Sequence, residues 1–115
     1  MTTTIYKICD RALWQEAERQ RVFRGAPVDA QDGFIHFSIA AQVVETAAKH
    51  FAGAADLVLV AVEAAHLGPA LKWEVSRGGA LFPHLYGSLS LDAVIWTTPL
   101  PLGGDGRHIF PEAMP

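Results

Sequence analysis

Apolar and polar positions along the chain mark out most of its elements. Ile5, Lys7 and Cys9 share one face of an extended segment Ile5–Cys9, and Tyr6 and Ile8 share the other, which predicts a first strand. Asp10 is a residue type that caps helices. The stretch Arg11–Phe23, rich in Ala, Leu, Glu, Gln and Arg with Leu13, Trp14 and Ala17 on one stripe, predicts a helix. Gly25 is expected to stop it and Pro27 to prevent its resumption. Gly33–Phe37 predicts a short strand, with Phe34, His36 and Ser38 on one side and Ile35 and Phe37 on the other. Ser38 is then expected to cap a helix over Ile39–Phe51, where Ile39, Val43, Ala47 and Phe51 recur at i+4 and Gly53 ends the run.

In the second half, Leu57–Val62 is continuously apolar, the pattern of a strand buried on both faces. Leu71–Ser76 alternates, so Leu71, Trp73 and Val75 are expected in the core and Lys72, Glu74 and Ser76 outward or in a cleft. Gly78-Gly79 predicts a turn. Phe82–Gly87 is expected to be irregular because Pro83 lacks a donor. Ala93–Thr98 predicts a last strand, and residues 99–115 an extended Pro/Gly-rich tail on the surface. Strands with two main helices in the N-terminal half define a single α+β domain over residues 1–115 rather than a repeating βαβ unit.

Composition narrows the class. Hydrophobic residues make up 50% of the chain and charged residues 18%, which excludes a disordered or fibrous chain. A net charge of −3 gives no whole-protein attraction to nucleic acid or anionic membrane and leaves only a local basic patch open. Cys9 is the single cysteine, so no intramolecular disulfide forms, which fits a reducing cytoplasm. The opening MTTTIYKICD lacks the pattern of a signal peptide, and the longest apolar run, Ala54–Ala65, is interrupted by Asp56 and Glu63 and too short for a membrane span. A cytoplasmic protein, monomer or homodimer, is expected.

Candidate chemistry falls in three places. His36 and Ser38 lie at i and i+2 of a strand that runs into a helix start, where an imidazole, a hydroxyl and free N–H groups suit an anion or proton transfer. The alternative is a half-buried histidine with a satisfied nitrogen beside a capping serine. In FPHLYG, His84 and Tyr86 are polar-tipped groups stiffened by Pro83, able to bind a ligand or simply to plug the core. Glu74, beside Trp73, could orient a hydroxyl or act as a base, or pair with Lys72 in solvent. Lys7 could neutralise a phosphate or snorkel from an edge strand. His50, His66 and His108 look structural or solvent-facing. No histidine spacing forms a metal motif, and Cys9 reads as a small buried filler.

The order IYKI, DGFIHFS, an Ala/Val helix, LVLVAV, LKWE and FPHLYG resembles a family of small bacterial proteins labelled domain of unknown function 952, over about Thr4 to Pro101. A second, weaker likeness rests on the strand–His–x–Ser–helix segment, the apolar strand and VIWTTPLP. These are similar to the C-terminal half of RNA 2′-phosphotransferases, which share the split sheet of NAD-dependent ADP-ribosyltransferases. That resemblance implies an ADP-ribosyltransferase-like split mixed or antiparallel sheet. Lys7 stands where those transferases carry His or Arg. The expected function is binding of an anionic nucleotide-like molecule (NAD, ADP-ribose or a nucleotide) in a cleft, with transfer of an ADP-ribosyl group or an RNA 2′-phosphate as the reaction. His36, Glu74 and His84 would be catalytic, and Lys7, Phe34, Ser38, Trp73 and Tyr86 would contact the ligand. The alternative is a non-catalytic interaction module, a homodimer or the partner of a neighbouring enzyme.

Overall fold

The computed structural model describes residues 3–112 and 114. Strand β1 (Thr4–Asp10) leads into helix α1 (Arg11–Gln20). α1 ends earlier than the sequence suggests. Arg21 takes a left-handed conformation (φ 62°) and the next two residues form β2 (Val22–Phe23), so Gly25 is not the stop. Pro27 likewise does not forbid a helix. It opens one, α2 (Pro27–Asp32), because a fixed φ and a missing N–H cost nothing at a first helical position. β3 (Ile35–His36) and α3 (Ala40–His50) follow. Ser38 does not cap α3: Ile39 holds the cap position, and its N–H donates to Gln42 Oε1 at 3.1 Å.

The remaining strands are β4 (Leu57–Glu63), β5 (Leu71–Val75), β6 (Leu81–Leu85), β7 (Leu89–Ser90) and β8 (Val94–Leu100), with 3-10 turns at Ala64–Ala70, Arg77–Gly79 and Leu91–Ala93. They form two three-stranded sheets, β1-β4-β8 and β3-β6-β5, and a small β2-β7 pair, all antiparallel. The chain is thus a single α+β domain whose two longer helices lie in the N-terminal half.

FPHLYG is not irregular: most of it is β6, the middle strand of its sheet. The Pro83 carbonyl accepts from Phe37 N–H at 3.0 Å, so the side on which Pro83 lacks a donor is the one where β3 leaves the sheet. The one ladder bond forgone is the reciprocal one, to the Phe37 carbonyl, at the end of β3. β8 runs through Leu100, two residues into the expected tail. Beyond it the chain folds back, with Leu102 paired to His108 and His108 Nε2 donating to the Ala54 carbonyl at 2.8 Å.

Both faces of β1-β4-β8 are covered, as the unbroken apolar run of β4 requires. On one face Ile5, Cys9, Val58, Val60 and Val62 pack with Trp14 and Ala17 of α1, Phe23, and Ile35, Phe37 and Leu85 of the second sheet. On the other, Tyr6, Ile8, Leu57, Leu59 and Ala61 pack with Val43 and Ala47 of α3. The i+4 stripe of α3 therefore faces the core as its spacing predicts. β5 behaves differently. Leu71 packs against the core, but Trp73 and Val75, expected inside with it, are 41% and 71% exposed, because the core covers only the first part of this edge strand.

Candidate functional site

The two three-stranded sheets meet at one place. Tyr6 N–H donates to the Ser38 carbonyl at 2.7 Å, and Ser38 N–H donates to the Tyr6 carbonyl at 2.9 Å. Continuing that antiparallel register would put Ile8 opposite His36. The pairing stops instead, and a carboxylate explains why. Asp29, on α2, accepts from the His36 backbone N–H at 3.1 Å, the group that would otherwise face β1. It also accepts from Lys7 Nζ at 2.9 Å, from Ala26 N–H at 2.7 Å and from His36 Nδ1 at 2.6 Å. Asp29 is a wedge: it takes donors from both strands and holds them apart.

Local sequence puts the wedge there. Pro27 starts α2, so Asp29 falls on its third residue, where a carboxylate reaches back to the N–H just before the helix. Gly25 comes in close beside it. At φ 112° its backbone disfavours any side chain, and an added Cβ would lie 3.0 Å from Asp29 Cβ.

The Lys7 and Asp29 side chains are 5% and 1% exposed. Lys7 is neither snorkelling nor open to a phosphate: it is committed to an ion pair within the fold. Burial by itself would raise the Asp29 pKa. The His36 hydrogen bond, the charge and hydrogen bond of Lys7 and the Ala26 N–H outweigh it and bring it down to about 2. Burial pushes the Cys9 thiol up to about 12, the state of an inert filler.

Beside the wedge the gap opens into a cavity of about 270 Å³, lined by Tyr6, Lys7 and Ile8 of β1, by Val28, by His36, Phe37 and Ser38, and by Thr46, His50 and Phe51 of α3 and its end. Strand alternation points the Ile8 N–H and carbonyl the same way as those of Tyr6, toward this gap. The Ser38 and Thr46 hydroxyls lie 3.1 Å apart on its wall. Among the described residues, the ionisable lining groups besides Tyr6 are Lys7, His36 and His50, and no Asp or Glu lines it.

A second cluster stands on the other side of His36. β3, β6 and β5 present Phe34, His36, His84, Tyr86 and Glu74 on one face, with His36 directly opposite His84. The Phe34 ring stacks on His84 with centroids 4.0 Å apart, and those of His36 and His84 are 5.7 Å apart. His84 Nδ1 at 2.8 Å and the Tyr86 hydroxyl at 2.7 Å both donate to Glu74 Oε1. Those bonds, Tyr86's first and His84's second, hold the Glu74 carboxyl below its ordinary range, and the same bond raises the Tyr86 phenol. Glu74 Oε2 carries no hydrogen bond among the described residues, and the side chain is 38% exposed.

The structure thus gathers Phe34, His36, Glu74, His84 and Tyr86 on one face, with His84 between His36 and Glu74, and places Lys7 and Ser38 at the cavity. Trp73 points to the opposite face of β5 and joins neither. Sequence reasoning missed Asp29 and Asp32. Asp29 could have been found from its position two residues after Pro27, and Asp32 from its place four residues before His36. No group of His, Cys, Asp and Glu among the described residues is arranged to hold a metal ion, and no helix is long and apolar enough to cross a membrane.

Residues 8–97 match the family model described as "Protein of unknown function (DUF952)". The crystal structure of protein CC0527 from Caulobacter crescentus is similar over 93% of this chain and 94% of that chain, at 54% identity with a TM-score of 0.90. Its solution NMR structure is similar over 90% of each chain, at 55% identity with a TM-score of 0.82. None of the curated proteins matches the chain.

Proposed function

The chain belongs to the DUF952 family, and from that premise we propose that it binds a small anionic, nucleotide-like molecule in the gap between β1 and β3. The observation that carries this reading is the lining of the gap: the Ser38 and Thr46 hydroxyls, the His50 imidazole, an outward-facing strand-edge N–H at Ile8 and aromatic walls, with no carboxylate among the described lining residues. A dry wall strengthens such electrostatics, and apolar pockets with a few convergent polar groups are the usual form of a ligand site. Ser38, Thr46 and the Ile8 N–H hold the anionic group, and Tyr6 and Phe51 face the ring. NAD, ADP-ribose and nucleotides are the candidate ligands. In this reading the interrupted sheet is an ADP-ribosyltransferase-like split and the protein works in the cytoplasm.

Group transfer, of an ADP-ribosyl unit or an RNA 2′-phosphate, would use the neighbouring face. Glu74 has one oxygen fixed by two donors and the other able to accept from a ligand hydroxyl, and His84 and Tyr86 set its orientation. A thermal-shift and amide-NMR titration with NAD, ADP-ribose and ADP tests the binding. The expected result is stabilisation with shifts centred on Ile8, Ser38 and Thr46, and weaker binding by Ser38→Ala. No response to any of the three at millimolar concentration overturns it.

One observation favours a second reading, a non-catalytic module acting as a homodimer or beside a neighbouring enzyme. Trp73, Val75 and Leu81 stand exposed together on the free edge of the second sheet. Sedimentation of the wild type against Trp73→Ser separates a dimer through this edge from a monomer.

A further inference from the structure

β5 is paired to β6 on one side and, among the described residues, to no strand on the other. Its hydrogen-bonding phase is fixed at both ends. Tyr86 N–H donates to the Ala70 carbonyl and Ser76 N–H to the Ala80 carbonyl, each at 2.8 Å. Antiparallel ladders alternate, so Lys72 and Glu74 bond to β6 while Leu71, Trp73 and Val75 turn their backbone groups to the open side. There the Leu71 N–H is taken by the Gly68 carbonyl. The N–H and carbonyl groups of Trp73 and Val75 have no partner among the described residues. One face of this edge carries the exposed side chains of Trp73, Val75 and, on β6, Leu81. The other face carries Lys72, exposed and in no ion pair among the described residues, and Glu74 with its unbonded Oε2. A flat apolar edge left open in this way is a template for another strand.

We propose that β5 pairs with β5 of a second copy, antiparallel and in a single register, with Trp73 opposite the partner's Trp73. This rests on reading the free edge as a homodimer surface. Charge complementarity selects the register. Centring the pair on Trp73 sets Lys72 opposite the partner's Glu74 and, by symmetry, Glu74 opposite the partner's Lys72. These are non-hydrogen-bonded positions, where Cα atoms lie about 4.5 Å apart and side chains approach closest. On the other face Val75 meets the partner's Leu71. Sliding the pair to centre on Lys72 sets it opposite the partner's Lys72, and centring on Glu74 sets it opposite the partner's Glu74. Both adjacent registers therefore oppose like charges, whereas LKWEV centred on its tryptophan is its own complement. Trp73 N–H then donates to the partner's Trp73 carbonyl and Val75 N–H to the partner's Leu71 carbonyl, each bond made twice across the two-fold axis. In this reading Glu74 serves the interface: His84 and Tyr86 fix one of its oxygens, and the other takes the partner's Lys72.

The interface is small, so the test is sedimentation of the full chain up to about 1 mM, where weak dimers form. The samples are the wild type, Trp73→Ser, Lys72→Glu, Glu74→Lys and an equimolar mixture of the two charge reversals, with an amide NMR spectrum of each to confirm the fold. The wild type is expected to dimerise. Each charge reversal alone opposes like charges twice and should weaken self-association about tenfold or more. In the mixture every charge meets its opposite, so a heterodimer should return. A wild-type dimer that Trp73→Ser abolishes but neither charge reversal weakens overturns the register and leaves the edge dimer standing. A mixture of folded variants that stays monomeric overturns the register as well. A wild type that remains monomeric throughout removes the edge dimer and the proposal together, and leaves the edge to a strand of another protein. Should Glu74→Lys fail to fold for want of its His84 and Tyr86 contacts, Lys72→Glu decides against Lys72→Gln. The register requires the charge reversal to weaken the dimer more than the neutral change does, and equal dimers overturn it.

Discussion

Asp29 and Glu74 make the same pairing in opposite surroundings. Each is a carboxylate that accepts from a histidine Nδ1, and the two histidines face each other across adjacent strands. Asp29 spends both oxygens on Lys7, His36 and two backbone N–H groups in an interior that excludes water. Glu74 spends one oxygen on two donors, and the other accepts no hydrogen bond among the described residues. Burial decides the outcome. In the interior the carboxylate cannot be unpaired without a large loss, so it serves the architecture. At the rim the same chemistry can be given up and remade, which is what contact with a ligand requires.

The largest test of that contrast is Asp29→Ala. It removes the carboxylate that faces the buried Lys7 ammonium and accepts from the His36 N–H, and a stability loss of roughly 3–5 kcal/mol is expected in urea unfolding. Glu74→Ala should leave the unfolding midpoint close to wild type, and equal losses from the two would break the contrast. Gly25→Ala comes next. A side chain at φ 112° with its Cβ 3.0 Å from Asp29 Cβ combines backbone strain with crowding of the wedge, an expected loss of about 2–3 kcal/mol in the same assay.

Acid probes the wedge more gently. The folded pKa of Asp29 is depressed to about 2 from 3.8. Its contribution is therefore complete above the unfolded value and lost as pH falls through the folded one. On the order of 2 kcal/mol should disappear between about pH 5 and pH 2. Stability that is flat across that window would mean the pair contributes nothing. The smallest effect belongs to the rim. In Glu74→Gln the Tyr86 phenol loses its carboxylate partner and should ionise at lower pH than in the wild type, read from phenolate absorbance. An unchanged titration would show that Tyr86 does not depend on Glu74.

The elements legible from sequence are those whose pattern and burial agree. β4 is a plain apolar run covered on both faces, and the Val43–Ala47 stripe of α3 meets the core. Where tertiary context overrides local signals the reading failed. Pro83 argued against a strand, yet it falls opposite Phe37 at the end of β3, so its missing donor costs a single terminal ladder bond. Alternation in β5 pointed Trp73 inward, but along this edge strand the core reaches Leu71 and stops short of Trp73. The rim cluster was readable because His36, Glu74, His84 and Tyr86 are conspicuous residue types in strand register. Asp29 was not, since an acidic residue in a short Pro-initiated turn looks solvent-facing until β1 supplies a lysine to meet it.

The seam at Tyr6 and Ser38 has a mechanical corollary. Among the described residues, two backbone hydrogen bonds stitch one three-stranded sheet to the other, whereas β4 is bracketed by long ladders on both sides. Rupturing so short a stitch would unzip neither sheet. Spacing across the joint is therefore set by side chains rather than by backbone ladders: by Lys7, Asp29 and His36, and by Ile35, Phe37 and Leu85, which the second sheet buries against the first.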